Sequence, residues 1–230
     1  MNNICIIPAR GGSKRIPRKN IKLFLGKPII AYSIETAIGS GLFQEVMVST
    51  DDDNIAAIAQ EYGAKVPFMR SAQNANDYAT TRDVLIEVLE SYQQLGLSFD
   101  KACCIYPTAP FVSISMLSKS LTLLDTKKYA TVFPVSPFGS PIQRALKIEN
   151  GKIAMFQPEN KDKRSQDLVP AYHDAGQFYW LEIPSFLQKK EIFSSNSGAI
   201  ILEEMQVQDI DTPVDWQIAE LKYRLLNDLS

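Results

Sequence analysis

Residues Asn3–Asn20 read NICIIPARGGSKRIPRKN, an apolar run that passes directly into a basic loop. The first six residues, Asn3–Pro8, predict a buried β-strand, because a short apolar run bounded by loop residues is typical of a strand in a sheet core. Ligands bind α/β sheets at the carboxyl ends of their parallel strands. This stretch therefore decides the fold and indicates where a site should lie.

Strand and helix patterns alternate from this first strand as far as residue 135. Between the β-rich runs, apolar residues recur at helical spacing, most clearly over Thr80–Leu95. The alternation predicts right-handed βαβ units, and hence an α/β fold with a largely parallel sheet. The predicted strands are Asn3–Pro8, Glu45–Thr50, Lys65–Met69, Ala102–Tyr106 and Ala130–Val135.

The pattern changes after Val135, where prolines and glycines interrupt the alternation. Asn150-Gly151 lies between two β-rich runs and predicts a hairpin, whereas residues 157–175 are polar and irregular. We interpret 136–175 as an excursion from the sheet (a lobe, lid or dimerisation arm) within one domain that spans 1–230. Further strands are predicted at Gln177–Leu181 and Ala199–Leu202, followed by an amphipathic helix from Thr212-Pro213 that contains Val214, Ile218, Leu221 and Leu225.

The composition excludes several classes of protein. Of 230 residues, 45% are hydrophobic, which excludes a disordered chain. No run approaches the length of about 18 apolar residues that a membrane span needs, and the N-terminus lacks the basic head of a secretion signal. The net charge of −2 argues against a general nucleic-acid binder. Three cysteines, two of them adjacent in an apolar run, indicate reduced core thiols and a cytoplasmic location.

Charge is segregated along the chain. Residues 1–34 contain seven cations and no carboxylate, whereas seven carboxylates and no cation lie between Lys190 and Lys222. These segments are either two solvated faces, or they meet at one site. In the second case the cations would hold phosphates and the carboxylates would hold a metal ion.

The loop Ala9–Asn20 is the first candidate site. Adjacent Gly11 and Gly12 allow backbone N–H groups to approach an anion closely. Charged and hydroxyl side chains add charge-assisted hydrogen bonds to phosphate oxygens, and the loop offers Arg10, Ser13 and Lys19. It contains neither a Walker A motif nor a dinucleotide fingerprint. A solvated basic turn is the alternative interpretation.

The segment Gln208–Thr212, QDIDT, is the second candidate. In an extended backbone Asp209 and Asp211 point to the same side, where two carboxylates repel unless a cation such as Mg²⁺ lies between them. Alternatively, Asp211 or Thr212 caps the helix that begins at Pro213. Both interpretations are compatible with one another.

Two other polar groups have a structural and a functional interpretation. Asp51-Asp52-Asp53 follows the second strand and favours capping of the next helix over metal binding. His173 is the one histidine of the chain, and a lone histidine is more often a satisfied polar residue than a catalyst. Because Arg164, Gln166 and Asp174 lie nearby in sequence, His173 is also a candidate for binding a polar ligand. No Ser/His/Asp signature is present.

Five motifs in chain order resemble the CMP-sialic acid synthetase family, the cytidylyltransferases that activate nonulosonic acids. The motifs are Ala9–Asn20, Val48-Ser49-Thr50-Asp51, the series Arg70…Asp77…Thr80, Pro107-Thr108-Ala109-Pro110 and Gln208–Thr212. Tyr106 stands where the sialic acid enzymes have a glutamine. Together with Pro141–Ala145, Arg164–Leu168 and Ala171–Trp180, it resembles the branch of the family that acts on pseudaminic acid.

The resemblance implies a doubly wound α/β domain and a homodimer whose inserted arm contributes to the partner's active site. It implies Mg²⁺ bound by Asp209 and Asp211, and catalytic roles for Arg10, Lys19 and Asp211. The implied nucleotide-binding residues are Ala9, Arg10, Gly11, Gly12, Ser13, Lys19, Asn20, Arg70 and Thr80. The expected sugar-binding residues are Tyr106, Gln143, Arg144, Arg164, Gln166, His173 and Asp174.

The implied reaction transfers CMP from CTP to the anomeric hydroxyl of pseudaminic acid and releases pyrophosphate. Two alternatives remain open at this point. The chain could activate another nonulosonic acid, such as N-acetylneuraminic or legionaminic acid. It could also be a non-catalytic nucleotide-binding protein, since a fold alone does not define a function.

Overall fold

The structure is a computed structural model that describes residues 2–227. Its strands are β1 Asn3–Pro8, β2 Leu23–Phe24, β3 Lys27–Pro28, β4 Glu45–Ser49, β5 Lys101–Ile105, β6 Thr131–Pro137, β7 Leu146–Glu149, β8 Lys152–Met155, β9 Tyr172–Asp174, β10 Phe178–Glu182 and β11 Ser197–Ile201. Its α-helices are α1 Ile29–Ser40, α2 Asp53–Glu61, α3 Thr81–Gln94, α4 Ile114–Lys127, α5 Ile183–Lys189 and α6 Pro213–Leu226.

The central sheet has the strand order β11–β6–β10–β5–β1–β4, and β9 pairs with the outer part of β6. β1, β4, β5, β6 and β11 share one direction, while β9 and β10 run against them. β1 lies between β4 and β5, with Ile6 opposite both Met47 and Cys104. A strand covered on both faces buries every side chain, which explains the unbroken apolar run that opens the sequence.

Helices cover both faces of the sheet. Alternate residues of β1 face opposite sides, so Cys5 and Ile7 pack with α1, α2 and α4, whereas Ile4 and Ile6 pack with α3 and α5. This arrangement confirms the predicted doubly wound, mostly parallel α/β fold. No helix within residues 2–227 combines the length and apolarity needed to cross a bilayer.

Three secondary-structure elements differ from the sequence predictions. Lys65–Met69 does not form a strand: Lys65 makes an isolated bridge to Met47, and Pro67 has no N–H with which to extend the ladder. The short hairpin of β2 and β3 was not predicted. Its turn residues Leu25 and Gly26 have positive φ values of 48° and 92°. α5 was also not predicted.

The excursion from the sheet is shorter than the predicted range 136–175. β6 extends to Pro137, and Tyr172–Asp174 returns to pair with it, so residues 138–171 lie outside the central sheet. The predicted hairpin is present as β7 and β8, and Asn150 and Gly151 both have positive φ. Its large apolar side chains are exposed; they are Leu146, Ile148, Ile153 and Phe156.

The final helix buries a different face from the one that its apolar spacing predicts. Trp216 and Ala219 are buried in an aromatic cluster with Phe24 and Tyr32. Trp216 meets Phe24 edge-on with ring centroids 5.6 Å apart. The predicted apolar series is on the outside, since the exposed residues are Val214, Ile218, Leu221 and Leu225.

Candidate active site

A cavity of about 430 Å³ opens at the carboxyl ends of β1 and β5. The basic loop after β1 forms one wall, and the segments after β5 and before α6 form others. Four of the five family-like motifs therefore meet at one place. The lining residues are Pro8, Arg10, Ser13, Lys14, Arg15, Ile16, Lys19, Asn20, Arg70, Ala79, Thr81, Val84, Tyr106, Pro107, Thr108 and Asp211.

The basic and acidic segments of the sequence come into direct contact at this cavity. Lys19 Nζ donates to the carbonyl of Ile210 at 2.7 Å and lies 3.4 Å from Asp211 Oδ1. Arg15 Nη2 lies 2.8 Å from the same carboxylate oxygen. The two segments are therefore parts of one site and not two separate solvated faces.

The basic loop is held in place by its own polar contacts. Asn20 Nδ2 donates to the carbonyl of Arg10 at 2.9 Å, and Asp51 Oδ1 accepts from the backbone N–H of Gly11 at 2.9 Å. A Cβ at Gly11 would lie 3.0 Å from Asp52 Cβ and Oδ2, so glycine allows the loop to approach that residue. The Gly11 N–H thus supports the loop, and Ala9 is fully buried below it.

Asp77 neutralises two cations of the loop. Its carboxylate accepts from Arg10 Nη1 at 2.8 Å and also pairs with Lys14 Nζ. Arg10 Nη1 additionally donates to the carbonyl of Asn76 at 2.9 Å. Hydrogen bonds from Lys14 and Arg10 hold the pKa of Asp77 below its usual range. The Arg…Asp…Thr series therefore contacts the basic loop through its aspartate.

The acidic motif keeps its carboxylates available for ionic contacts, because Thr212 caps α6. Thr212 Oγ1 accepts from the backbone N–H of Asp215 at 3.2 Å, completing a capping box with the Asp215 side chain. Asp209 is exposed, but desolvation by neighbouring atoms, followed by the charge of Asp211, raises its pKa. Two nearby carboxylates that repel in this way fit a hard divalent cation.

The other acidic candidates have structural partners. Asp52 caps α2 by accepting from the backbone N–H groups of Asn54 and Ile55 at 2.9 and 3.0 Å, which confirms the capping interpretation. In the part of the chain that the structure describes, no group of three or more His, Cys, Asp or Glu side chains is arranged to hold a metal.

Arg70 closes the cavity from the β4 side. It is 8% exposed, and its Nε donates to Ser49 Oγ at 3.0 Å. Its backbone N–H donates to the carbonyl of Thr50 at 2.8 Å. Desolvation lowers the pKa of Arg70 from its usual value, but an arginine stays cationic at neutral pH. Arg70 thus supplies a fixed positive charge.

Thr81, and not the predicted Thr80, lines the first cavity. Thr80 caps α3, and its hydroxyl is engaged with the Asp83 carboxylate at 2.6 Å. The next hydroxyl, Thr81 Oγ1, lines the cavity and lies 2.9 Å from Tyr106 Oη. A cap residue has its side chain occupied by the helix, so the following position is free to face a ligand.

A second cavity, of about 380 Å³, shares Thr81 and Tyr106 with the first. Tyr179 meets Tyr106 edge-on with ring centroids 5.5 Å apart, and Tyr179 Oη donates to Asp174 Oδ2 at 2.5 Å. Tyr106 and Asp174, both expected sugar residues, are thus connected through Tyr179. Thr80, expected as a nucleotide-binding residue, lines this second cavity instead; the lining residues that were not predicted are Arg82, Tyr179, Lys190, Glu191, Ile192 and Phe193.

The remaining expected sugar residues lie elsewhere in the single chain. Gln143 Nε2 donates to the carbonyl of Val169 at 2.8 Å, and Arg164 pairs with Asp167 at 2.8 Å. The His173 ring lies 5.1 Å from that of Phe138. Neither of the two cavities, as lined by residues 2–227, includes Gln143, Arg144, Arg164, Gln166 or His173.

Known proteins with similar sequences support one interpretation of this site. The chain is 44% identical to the pseudaminic acid cytidylyltransferase of Campylobacter jejuni over 226 residues, 98% of this chain and 97% of that protein. It is 32% identical to the CMP-N,N'-diacetyllegionaminic acid synthase of Legionella pneumophila over 229 residues, 96% of this chain and 95% of that protein.

A solved structure shares the fold across the whole chain. CMP:2-keto-3-deoxy-manno-octonic acid synthetase, solved with CTP, superposes with a TM-score of 0.72 and covers 100% of both chains at 17% identity. The model of the cytidylyltransferase family matches residues 4–225. That match spans both the basic loop and the acidic motif. With the geometry of the cavity and the two sequence relatives, it shows that this chain belongs to the cytidylyltransferase family.

Proposed function

We propose that this chain transfers CMP from CTP to the anomeric hydroxyl of pseudaminic acid and releases pyrophosphate. The observation that carries the proposal is a single cavity where Arg10 and Lys19 face Asp211, and which shares Thr81 and Tyr106 with a second cavity beside it. One cavity then suits the nucleotide and the other the acceptor. The Campylobacter jejuni relative supports the choice of pseudaminic acid.

Cations of the basic loop would bind the triphosphate. Phosphoryl-type transfer depends mainly on positioning and charge stabilisation, and Arg10, Lys14 and Lys19 line the cavity from one side. Their partners here are carboxylates, so a bound triphosphate would replace Asp77 as the partner of Arg10 and Lys14. The buried Arg70 would hold the nucleotide from the opposite side.

Asp209 and Asp211 would hold Mg²⁺, which fits the raised pKa of Asp209, caused by desolvation and then by the charge of Asp211. When bound, the ion withdraws negative charge from the phosphate oxygens. With a cation beside it, Asp211 no longer needs Arg15 and Lys19 as partners. Both side chains would then be free to contact the departing pyrophosphate.

The acceptor would occupy the second cavity. Tyr106, Tyr179 and Phe193 provide aromatic surface for the methyls of acylamino groups, and Asp174 orients the Tyr179 hydroxyl. The raised pKa of Tyr106, caused mainly by desolvation, keeps its phenol neutral, so it would act as a hydrogen-bond donor and not as a base. Arg82 and Lys190 offer positive charge there for the sugar carboxylate.

We further propose a homodimer in which residues 138–171 cross to the partner. Ile148 and Ile153 are 77% and 71% exposed on the β7–β8 hairpin, and such adjacent apolar side chains favour an interface. Arg144 and Arg164 lie outside both cavities of their own chain, so crossing would be their route to an acceptor carboxylate. The three buried, unpaired cysteines fit a reducing compartment such as the cytoplasm.

The direct test is pyrophosphate release with CTP and a panel of nonulosonic acids. We expect the highest kcat/KM with pseudaminic acid, and little turnover when UTP, ATP or GTP replaces CTP. A preference for legionaminic or N-acetylneuraminic acid would show that pseudaminic acid is not the acceptor. The Legionella pneumophila relative makes legionaminic acid the first of these alternatives. No turnover with any acceptor, despite CTP binding, would favour a non-catalytic nucleotide-binding protein.

A further inference from the structure

Gln177 contacts two parts of the site that lie on different segments of the chain. It follows the turn from β9 to β10, and it is 2% exposed. Its backbone carbonyl accepts from the backbone N–H of Tyr106 at 2.8 Å. Its side-chain Nε2 donates to the backbone carbonyl of Gln206 at 2.6 Å. One residue therefore connects the strand end that carries Tyr106 with the segment that leads to Asp209 and Asp211.

The contact with Gln206 depends on a donor at position 177. A carbonyl oxygen only accepts hydrogen bonds, so the group of the Gln177 side chain that bonds to the Gln206 carbonyl is the amide nitrogen. The amide oxygen, Oε1, is buried and has no hydrogen-bond partner within residues 2–227. An unpaired buried amide oxygen opposes folding, so stability alone does not account for a glutamine here.

Within residues 2–227, two side chains from outside the segment before the acidic motif donate to its backbone carbonyls. Lys222 Nζ, on α6, donates to the carbonyls of Glu204 and Val207 at 3.0 and 2.8 Å. Gln177 contacts the same segment from the sheet side. Of these two side chains, Gln177 belongs to the residue that also contacts the backbone of Tyr106. Its loss would leave the acidic motif attached to α6 and, through Lys19, to the basic loop, but no longer tied to the wall of the acceptor cavity.

We propose that Gln177 is a positioning residue that sets the placement of Asp209 and Asp211 relative to Tyr106. The inference rests on the proposed function, in which these groups contact the two substrates. A misplacement of about 1 Å in such a site can lower the rate about 10²-fold, even when the altered residue does not touch substrate. Gln177 would therefore affect turnover far more than CTP affinity.

The test uses Gln177→Glu and Gln177→Leu in the full-length enzyme. The glutamate keeps the shape but loses the donor when ionised, and the leucine lacks the donor at every pH. We expect kcat for pyrophosphate release to fall at least tenfold in both variants at pH 8, while the KM for CTP stays within twofold. A control, Gln94→Glu at the exposed end of α3, adds the same charge and should match the wild type.

The pH profile separates positioning from general damage. Burial raises a carboxyl pKa, and the introduced carboxyl group of Gln177→Glu, once protonated, can donate to the Gln206 carbonyl again. The ratio of variant to wild-type kcat should therefore rise as pH falls from 8 to 6 for Gln177→Glu, and stay flat for Gln177→Leu. A loss that is equal at every pH in both variants, with a higher KM for CTP, would overturn the proposal, as would unchanged kcat.

A measurement without turnover distinguishes this proposal from the proposed function. Amide hydrogen exchange over residues 204–211 should be faster in Gln177→Leu than in the wild type, with exchange in α3 unchanged. If exchange is faster in Gln177→Leu but the wild type transfers no CMP, the positioning role of Gln177 stands and the proposed function is refuted. If exchange is unchanged and the wild type is active, only the positioning role is refuted. If Gln177→Glu does not fold, Gln177→Leu carries both measurements.

Discussion

Asp77 Oδ1 lies 2.8 Å from Nη1 of Arg10, and the same carboxylate pairs with Lys14. An acidic side chain thus holds the cations that the proposed reaction needs for phosphates. The pKa of Asp77 is lowered by these contacts, so the pairing persists at neutral pH and is lost only as pH falls through that lowered pKa. The carboxylate and a triphosphate would compete for the same two cations.

The first prediction concerns this competition. Asp77→Asn should lower the Kd for CTP about two- to fivefold at low ionic strength, because Arg10 and Lys14 are released, and the gain should shrink as salt screens the charges. Calorimetric titration with CTP measures it. Asp125→Asn removes the ion pair with Lys101 at the other end of β5 and is the matched control. Weaker CTP binding in Asp77→Asn would instead assign Asp77 a direct contact with the nucleotide.

The second prediction concerns the acidic pair. Desolvation, followed by the charge of Asp211, raises the folded-state pKa of Asp209, so ionised Asp209 opposes folding above that pKa, and protonation relieves this cost as pH falls. Asp209→Asn should therefore raise the Tm slightly at pH 7 without metal, by about 1–2 °C. It should also abolish the rise in Tm that Mg²⁺ gives the wild type. Full activity of the wild type in excess EDTA would contradict the metal assignment.

The third prediction concerns Tyr106. Tyr106→Phe keeps the ring but removes the hydroxyl that hydrogen-bonds with Thr81. Loss of one hydrogen bond should lower kcat/KM for the acceptor about fivefold. The KM for CTP should not change. Tyr78→Phe, at a side chain that is 92% exposed, is the control. Equal losses for both substrates would mean that the hydroxyl supports the fold of the site and does not select the acceptor.

The fourth prediction concerns the proposed dimer. Ile148→Asp combined with Ile153→Asp places charge on the exposed hairpin face and should give a monomer in light scattering, with acceptor turnover reduced at least tenfold. Mixing Arg164→Ala with Asp211→Asn tests crossing directly. If Arg164 serves the partner's site, hybrid dimers contain one intact site, and activity should recover to about a quarter of the wild type. No recovery in a confirmed hybrid would refute crossing.

The fifth prediction concerns the packing of β11. A Cβ at Gly198 would overlap Cδ2 and Cε2 of the Tyr129 ring. Overpacking of this kind costs about 1–3 kcal/mol, so Gly198→Ala should lower the Tm by about 3–10 °C. Replacing Tyr129 with leucine in the same chain should restore part of the loss. Gly139→Ala has no heavy atom within 4 Å of its new Cβ and should leave the Tm unchanged.

The sequence predicts elements well where local rules govern them. The turn Asn150-Gly151 and the cap at Thr212 follow from backbone preferences that a short window contains. The buried face of α6 does not, because the aromatic cluster of Phe24 and Trp216 depends on a contact between the two ends of the chain. A pattern of spacing alone selected the face that the fold leaves exposed.

The candidate site follows the same division. The motifs that line the first cavity were found because each lies within a short window of sequence. Thr81 was missed because its neighbour Thr80 carries the resemblance, although that hydroxyl is used by the helix. Tyr179 and Phe193 were missed because they belong to the site only through the return of β10 beside β5. No local signal reports such a neighbour.

The contact between Lys19 and Ile210 joins residues 191 positions apart. During synthesis at about 5–20 residues per second, the basic loop would emerge about 10–40 s before its acidic counterpart. In a nascent chain that has already paired β1 with β4, the cations of the basic loop are exposed to any cellular polyanion. The acidic motif that pairs with them has not yet been synthesised. Under the proposed function the active centre is complete only when the last segment docks, and we expect partly translated chains to be inactive.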